Sequence, residues 1–156
     1  MSLDTSAARR PDHPVAPQFP ARWSPRSFTD RPLTEAEVLT LLEAARWAPS
    51  ASNQQPWRLI WALRGEAGFA AIHSALAAGN RIWAGKAGAL VVVASKDTVL
   101  NREGMDVANR TAGFDTGAAW MSLALQADAM GLAAHAMGGF DKDLLAPALR
   151  LPENHT

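Results

Sequence analysis

Residues 49–57 read PSASNQQPW, and this segment is among the most informative in the sequence. The segment is dense in short polar side chains and lies between a predicted helix and a predicted strand. Loops of this kind place amide and hydroxyl groups where a planar heteroaromatic ligand could use them. The alternative is an ordinary turn, because serine and asparagine favour turns without any ligand. Taken alone, the segment favours the turn.

Capping signals and apolar spacing predict the elements on either side of this loop. A capping box opens at Thr34, and the apolar residues behind it repeat at helical spacing, which predicts a helix over 35–47. Pro49 disfavours helical geometry at the residue before it, so the helix should end there. A strand is predicted over 57–64, and the helix after it should end near Gly79.

The second half of the chain is dominated by one long helix. Residues 89–94 form a β-branched apolar run that is typical of a strand buried on both faces. The long helix is predicted over 106–130, and Gly131 suits the position after its last turn. This helix is apolar nearly all round, which favours a surface shared with a second subunit in so small a chain. A short strand over 132–137 and a last helix opening at Asp141 should follow.

Composition limits the class of protein. The 156 residues suffice for one domain, predicted over 22–156, and proline-rich residues 1–21 predict a flexible N-terminal arm. Lysine plus arginine equals aspartate plus glutamate at 15 each, so no overall field favours nucleic acid or an anionic membrane. The absence of cysteine excludes disulfides and thiolate chemistry and suits a cytoplasmic location. The longest apolar run, 87–94, is too short to cross a bilayer, which needs roughly 20 residues.

A second motif, RWSPR, begins at Arg22. Pro25 biases Ser24 toward extended geometry, in which residues two apart project to the same side. Arg22, Ser24 and Arg26 can therefore converge, with two guanidinium groups around a hydroxyl. Guanidinium binds phosphate through paired hydrogen bonds, so the motif is a candidate phosphate site. The alternative is that both arginines are surface charges paired with carboxylates such as Asp30.

The two motifs, separated by one capped helix, resemble the N-terminal signature of the nitroreductase family. Later features fall in matching order, with Lys86 before an apolar strand, Asp115 on the long helix and GGFD from Gly138. The resemblance covers residues 22–153 and implies an α+β fold, with a mixed β-sheet flanked by helices and the long apolar helix at a dimer interface. Asp115 itself is interpreted as a hydrogen-bonded structural carboxylate.

The resemblance also implies a function, that of an FMN-dependent oxidoreductase. Hydride would pass from NAD(P)H through flavin N5 to a nitroaromatic, quinone or related acceptor in a ping-pong mechanism, with FMN bound at the interface of a homodimer. The backbone amide of Gly139 would approach N5, because glycine lets backbone come close to a ligand. No catalytic side chain is implied. The implied cofactor contacts are Arg22, Trp23, Ser24, Arg26, Ser50, Asn53, Gln55, Lys86, Gly138 and Gly139.

Within that set, the resemblance assigns different parts of the flavin to different residues. Arg22 and Arg26 would contact the phosphate and ribityl chain, Ser50 and Asn53 the ring edge, and Lys86 the pyrimidine end. No ligand spacing among the histidines indicates a metal site.

One departure and two alternatives accompany the resemblance. Family members continue with another strand, basic residues on the flavin phosphate and an arm to the partner, whereas this sequence ends at Thr156, where that strand would start. The first alternative is a flavin-binding or storage protein of this fold without turnover. The second is a helical dimerisation module whose basic motif is only surface charge.

Overall fold

The computed structural model describes residues 8–156. The helices are Gln18–Ala21 (α1), Glu35–Arg46 (α2), Ala67–Ala75 (α3), Ala78–Ala84 (α4), Ala112–Ala129 (α5) and Lys142–Ala148 (α6). The strands are Trp57–Leu63 (β1), Ala89–Ser95 (β2), Thr98–Leu100 (β3) and Asp106–Ala108 (β4), and a 3₁₀ turn covers Ala51–Asn53. The predicted α+β class is confirmed. Within these residues, no helix combines the length and apolar character that crossing a membrane requires.

The strands form two antiparallel pairs. β1 pairs with β2 along its whole length, and β3 pairs with β4 in a hairpin whose turn includes Gly104, at φ +77°. The parallel pairing that would make the sheet mixed does not occur among residues 8–156. At the end of β2, Ser95 and Thr156 exchange two backbone hydrogen bonds of 2.7 and 2.9 Å, so the chain pairs antiparallel with β2 where the resemblance implies that a further strand starts.

The β1–β2 sheet lies between two apolar layers. Side chains alternate across a strand, so Ala62 and Leu90 face one cluster while Trp57 faces the other. The first cluster also contains apolar residues of α3 and α6, and the second contains those of α2 and α5. This arrangement places α5 against the sheet, while Ala84 of α4 is buried in the first cluster.

The sequence predicts one helix that ends near Gly79. The structure has two helices in this region, α3 and α4, so the predicted length is wrong. Leu76 has extended geometry, with ψ of 146°, and forms an antiparallel bridge with Phe140. The amide of Ala77 donates to the carbonyl of Gly139 at 2.9 Å. Pairing with a segment about sixty residues away therefore outweighs local helical propensity and separates α3 from α4.

Two further boundaries differ from the prediction. The helix predicted over 106–130 begins at Ala112, because residues 106–108 pair as β4 and the Asn109 side chain accepts the Thr111 amide at 3.2 Å. The strand predicted over 132–137 is not formed, since this segment has no strand partner among residues 8–156. In the predicted arm, α1 forms and lies against α5, while residues 1–7 lie outside the described part of the chain.

Candidate functional site

The arginine segment, residues 22–26, presents a cationic surface. Arg22 is half-buried, and its Nη1 lies 3.4 Å from Ser24 Oγ, as the extended spacing predicts. The Nε of Arg22 is buried and has no hydrogen-bond partner among the described residues. Arg26 and Trp23 are exposed, and Arg9 donates to the carbonyl of Arg22 at 2.6 Å. The segment therefore keeps guanidinium donors available to an external acceptor.

The carboxylate named as the alternative partner of these arginines is used elsewhere. Asp30 pairs with Arg64 at 3.5 Å, and the Asp30 carbonyl accepts from the same guanidinium at 2.5 Å. Among residues 8–156, neither Arg22 nor Arg26 has a carboxylate within ion-pair distance. The proposed pairing with Asp30 is therefore wrong, and two uncompensated charges with a buried unpaired donor fit a phosphate dianion.

His135 connects the arginine segment to helix α4. The Nδ1 of His135 donates to the carbonyl of Pro25 at 2.9 Å, which places the proton on Nδ1 because a carbonyl can only accept. The His135 ring lies 4.7 Å from the ring of Trp83 in α4, and Phe28 lies 5.9 Å from Trp83 on the other side. The backbone of the segment is thus held while its charged ends remain open.

The same helix holds the glycine turn, residues 138–139. The carbonyl of Gly139 accepts from the Ala77 amide at 2.9 Å and from Asn80 Nδ2 at 3.0 Å. A Cβ added at Gly139 would lie 3.0 Å from Asn80 Nδ2, whereas one at Gly138 would meet nothing within 4 Å. Asn80 was not among the candidates from sequence, since nothing local marks a side chain whose partner is 59 residues away.

Lys86 completes this side of the site. It follows α4 by two residues and is exposed, and its side chain has no ion-pair partner in the part of the chain described. Its carbonyl accepts from Arg64 at 3.0 Å, and that arginine also binds Asp30 just beyond the arginine segment. The arginine segment, Lys86 and the glycine turn therefore all connect to α4, and together they are called the α4 group below.

The polar loop, residues 50–55, is not an ordinary turn. Ser52, Asn53 and Gln55 have φ of 50°, 55° and 47°, a left-handed conformation that residues other than glycine seldom adopt. Ser50 Oγ accepts from the Gln55 amide at 2.9 Å. The amide of Ala51 donates to the buried carboxylate of Asp115, in the first turn of α5, at 3.1 Å. Asp115 is thus a hydrogen-bonded structural carboxylate, as predicted.

The polar loop and the α4 group are separate within one chain. No hydrogen bond, ion pair or aromatic contact among residues 8–156 joins them. The structure therefore brings the predicted contacts together as two sets, one on α4 and one beside α5.

One cavity among the described residues belongs to neither set. It has a volume of about 450 Å³ and lies between β2, α5 and residues 132–137, with a mainly apolar lining. None of the predicted cofactor contacts lines it. The predicted cofactor contacts and this cavity are therefore formed by different residues.

The chain matches the model of a known protein family and resembles a solved structure. The nitroreductase family model matches residues 20–82 and 64–156. A solved structure described as an oxidoreductase containing FMN has a TM-score of 0.91 and 42% identity, covering 95% of this chain and 75% of that one.

Two curated relatives match over shorter segments. A Streptomyces coelicolor protein that carries the name NADH dehydrogenase/NAD(P)H nitroreductase is 36% identical over 61 residues, which is 39% of this chain and 30% of that protein. The nitrobenzene nitroreductase of Ectopseudomonas oleovorans is 46% identical over 46 residues, which is 30% of this chain and 20% of that protein. The matched segments therefore span less than a third of either curated relative.

Proposed function

This chain belongs to the nitroreductase family, and we propose that it is an FMN-dependent oxidoreductase that moves hydride from NAD(P)H to a nitroaromatic, quinone or related acceptor by a ping-pong mechanism. The observation that carries the proposal is the α4 group. It combines guanidinium donors that have no carboxylate partner within residues 8–156 with an exposed glycine turn whose carbonyl is fixed. His135 links the first to α4, and Asn80 of α4 binds the second. When bound there, FMN supplies the hydride chemistry.

The residues of the α4 group have separate tasks in this proposal. Arg22 and Arg26 hold the phosphate by charge-assisted hydrogen bonds, and Ser24 adds a hydroxyl beside them. Lys86 places a positive charge at the pyrimidine end of the ring. The double hydrogen bond on the Gly139 carbonyl fixes the turn, so its backbone can lie against the ring without a side chain between them. Positioning of this kind is the protein's share of catalysis by a cofactor.

A second copy of the chain completes the proposed site. Among residues 8–156, no hydrogen bond or ion pair joins the polar loop to the α4 group, so Ser50, Asn53 and Gln55 would reach the flavin edge bound to a partner. An exposed apolar patch next to this loop supports the dimer: Phe114 precedes Asp115 and is 83% exposed, and Met121 lies two turns further along α5. The homodimer therefore joins one α4 group to the polar loop of the other subunit. The absence of cysteine fits a cytoplasmic location for the dimer.

The visible spectrum of the purified full chain tests this function. We expect a yellow protein, or one that takes up added FMN, whose flavin absorbance is bleached anaerobically by NADH or NADPH and restored by a nitroaromatic or a quinone. A colourless protein that does not take up FMN would overturn the proposal. Flavin that binds but is not bleached by either nicotinamide would instead indicate a storage protein.

A further inference from the structure

Asp115 is a buried carboxylate that the proposed chemistry does not use. It is 4% exposed, and within residues 8–156 it is the one acidic side chain in the buried class. Burying an ionised carboxylate is unfavourable unless hydrogen bonds replace its hydration. Both of its donors reach Oδ2: the Ala51 amide at 3.1 Å and the Thr111 hydroxyl at 2.9 Å. One donor belongs to the polar loop and the other to the start of α5.

The polar loop depends on this carboxylate for its attachment. Its other hydrogen bonds are local, joining residues no more than five apart, such as Gln55 to Ser50 and Asn53 to Ser50. The bond from Ala51 to Asp115 spans 64 residues and connects the loop to a core helix. Three left-handed residues other than glycine make the loop's conformation unfavourable in isolation, so it persists only where surrounding contacts specify it.

We propose that Asp115 is a positioning residue for FMN binding: its carboxylate holds the Ala51 amide, and through it aims the side chains of Ser50 and Asn53 at the flavin edge. Asp115 does not touch the cofactor in this account. The inference rests on the proposed function, because it supposes that the polar loop contacts FMN. The inference gives the Asp115 side chain a role in cofactor binding. It also explains why a carboxyl group is buried beside an exposed loop.

Variants at the two ends of the hydrogen bond test this role. Asp115→Ala removes the acceptor, and Ala51→Pro removes the donor at the first position of the 3₁₀ turn, where proline is accommodated. Asp115→Asn keeps a carbonyl oxygen that can accept from Ala51. Thr111→Val removes the other donor to the same oxygen without touching the loop. Thr111→Val is therefore the matched control for a general effect on α5.

FMN affinity, measured by quenching of flavin fluorescence, is the first readout. We expect Asp115→Ala and Ala51→Pro each to weaken binding roughly tenfold or more. Asp115→Asn should recover most of the loss, and Thr111→Val should stay within about twofold of wild type. Combining Asp115→Ala with Ala51→Pro should add little, since both remove one interaction.

Amide hydrogen exchange in the FMN-free chain is the second readout. Asp115→Ala should speed exchange at Ala51 and in the rest of the polar loop, while amides in the middle of α2 keep wild-type rates. Wild-type FMN affinity in Asp115→Ala, or an equal loss in Thr111→Val, would overturn the inference while leaving the proposed function intact. Failure of the wild-type chain to bind FMN would instead overturn the proposed function, and with it the role assigned to Asp115. Ala51 is exposed, so Ala51→Pro replaces no core side chain. The FMN affinity of this variant therefore tests the inference even where Asp115→Ala does not fold.

Discussion

The α4 group and the polar loop are held in opposite ways. In the α4 group, hydrogen bonds and ring contacts hold backbone atoms. Its arginine and lysine side chains have no carboxylate partner within residues 8–156. In the polar loop, a buried carboxylate holds one backbone amide, and the loop adopts a left-handed backbone. In the function proposed above, the free charges of the α4 group would bind an anion, and the fixed backbone of the polar loop would hold its side chains at the ring edge.

A substitution at the proposed subunit interface should have the largest effect, because it would separate the α4 group from the polar loop of the other subunit. Phe114→Glu places a charge on the exposed apolar patch of α5. We expect a halved mass in light scattering together with loss of bound FMN, because the α4 group and the polar loop would no longer meet. Leu144→Glu, at an exposed leucine of α6, is the control and should leave both properties unchanged. A monomeric Phe114→Glu protein with wild-type FMN affinity would contradict the shared site.

Removing a guanidinium tests the α4 group alone. Arg22→Ala should weaken FMN binding on the order of a hundredfold, because charge-assisted hydrogen bonds contribute about 1.5–3 kcal/mol each. The measurement is titration of the FMN-free protein followed by flavin fluorescence. Arg46→Ala is the control, since Arg46 is exposed and already pairs with Glu43 at 2.8 Å. Unchanged affinity in Arg22→Ala would favour the dimerisation module in which the basic motif is surface charge.

The glycine turn offers a test by a matched pair of substitutions. Gly139→Ala puts a methyl group 3.0 Å from Asn80 Nδ2 and 3.4 Å from Ala77 Cβ, so the Asn80 side chain that binds the turn must move by a few tenths of an ångström. We expect flavin reduction by NAD(P)H in stopped flow to slow by about tenfold, since small misplacements of reacting groups have large effects on rate. Gly138→Ala, whose methyl group meets nothing within 4 Å, should react at close to the wild-type rate. Equal rates in the two variants would argue against close approach at Gly139.

The smallest expected effect lies on α2, outside both sets of contacts. The hydrogen bond from the Thr34 amide, together with Arg31, lowers the pKa of Glu37 from its usual 4.5 to about 2. Because the pKa is lower in the folded chain, this carboxylate stabilises the fold above pH 4.5, and the stabilisation is lost as the pH falls through about 2. Glu37→Gln should therefore lower Tm slightly at pH 7 and not at pH 2, with FMN affinity unchanged at neutral pH. A Tm difference that persists at pH 2 would contradict the assignment.

Much of the fold was predictable because its signals are local. The capping box of Thr34 with Glu37 is present, and α2 begins at Glu35, as the sequence predicts. The strands at 57–63 and 89–95 lie within a residue of the predicted ranges. Capping and apolar periodicity involve residues no more than about four apart, so a sequence reveals them directly.

The two helix boundaries that the sequence predicts wrongly have the same cause, which is pairing with a distant segment. Nothing near Leu76 indicates that it will pair with Phe140 and end α3. Nothing near Asp106 indicates that residues 106–108 will join a hairpin with β3 before the long helix begins. In both places a hydrogen-bonded partner elsewhere in the chain outweighed a helical pattern, because intrinsic propensity is worth less than 1 kcal/mol for most residues.

By itself, the sequence determined the two motifs, the capped helix between them and the balance of charge that leaves any anion site to local residues. Only the tertiary structure decided that Asp30 binds Arg64, while Arg22 and Arg26 have no carboxylate partner among the described residues. It also decided that Ala51 meets Asp115. The physical reason is the distance along the chain over which each interaction acts. A capping or turn signal involves residues only a few positions apart. A buried hydrogen bond or an ion pair depends on where folding brings distant parts of the chain together.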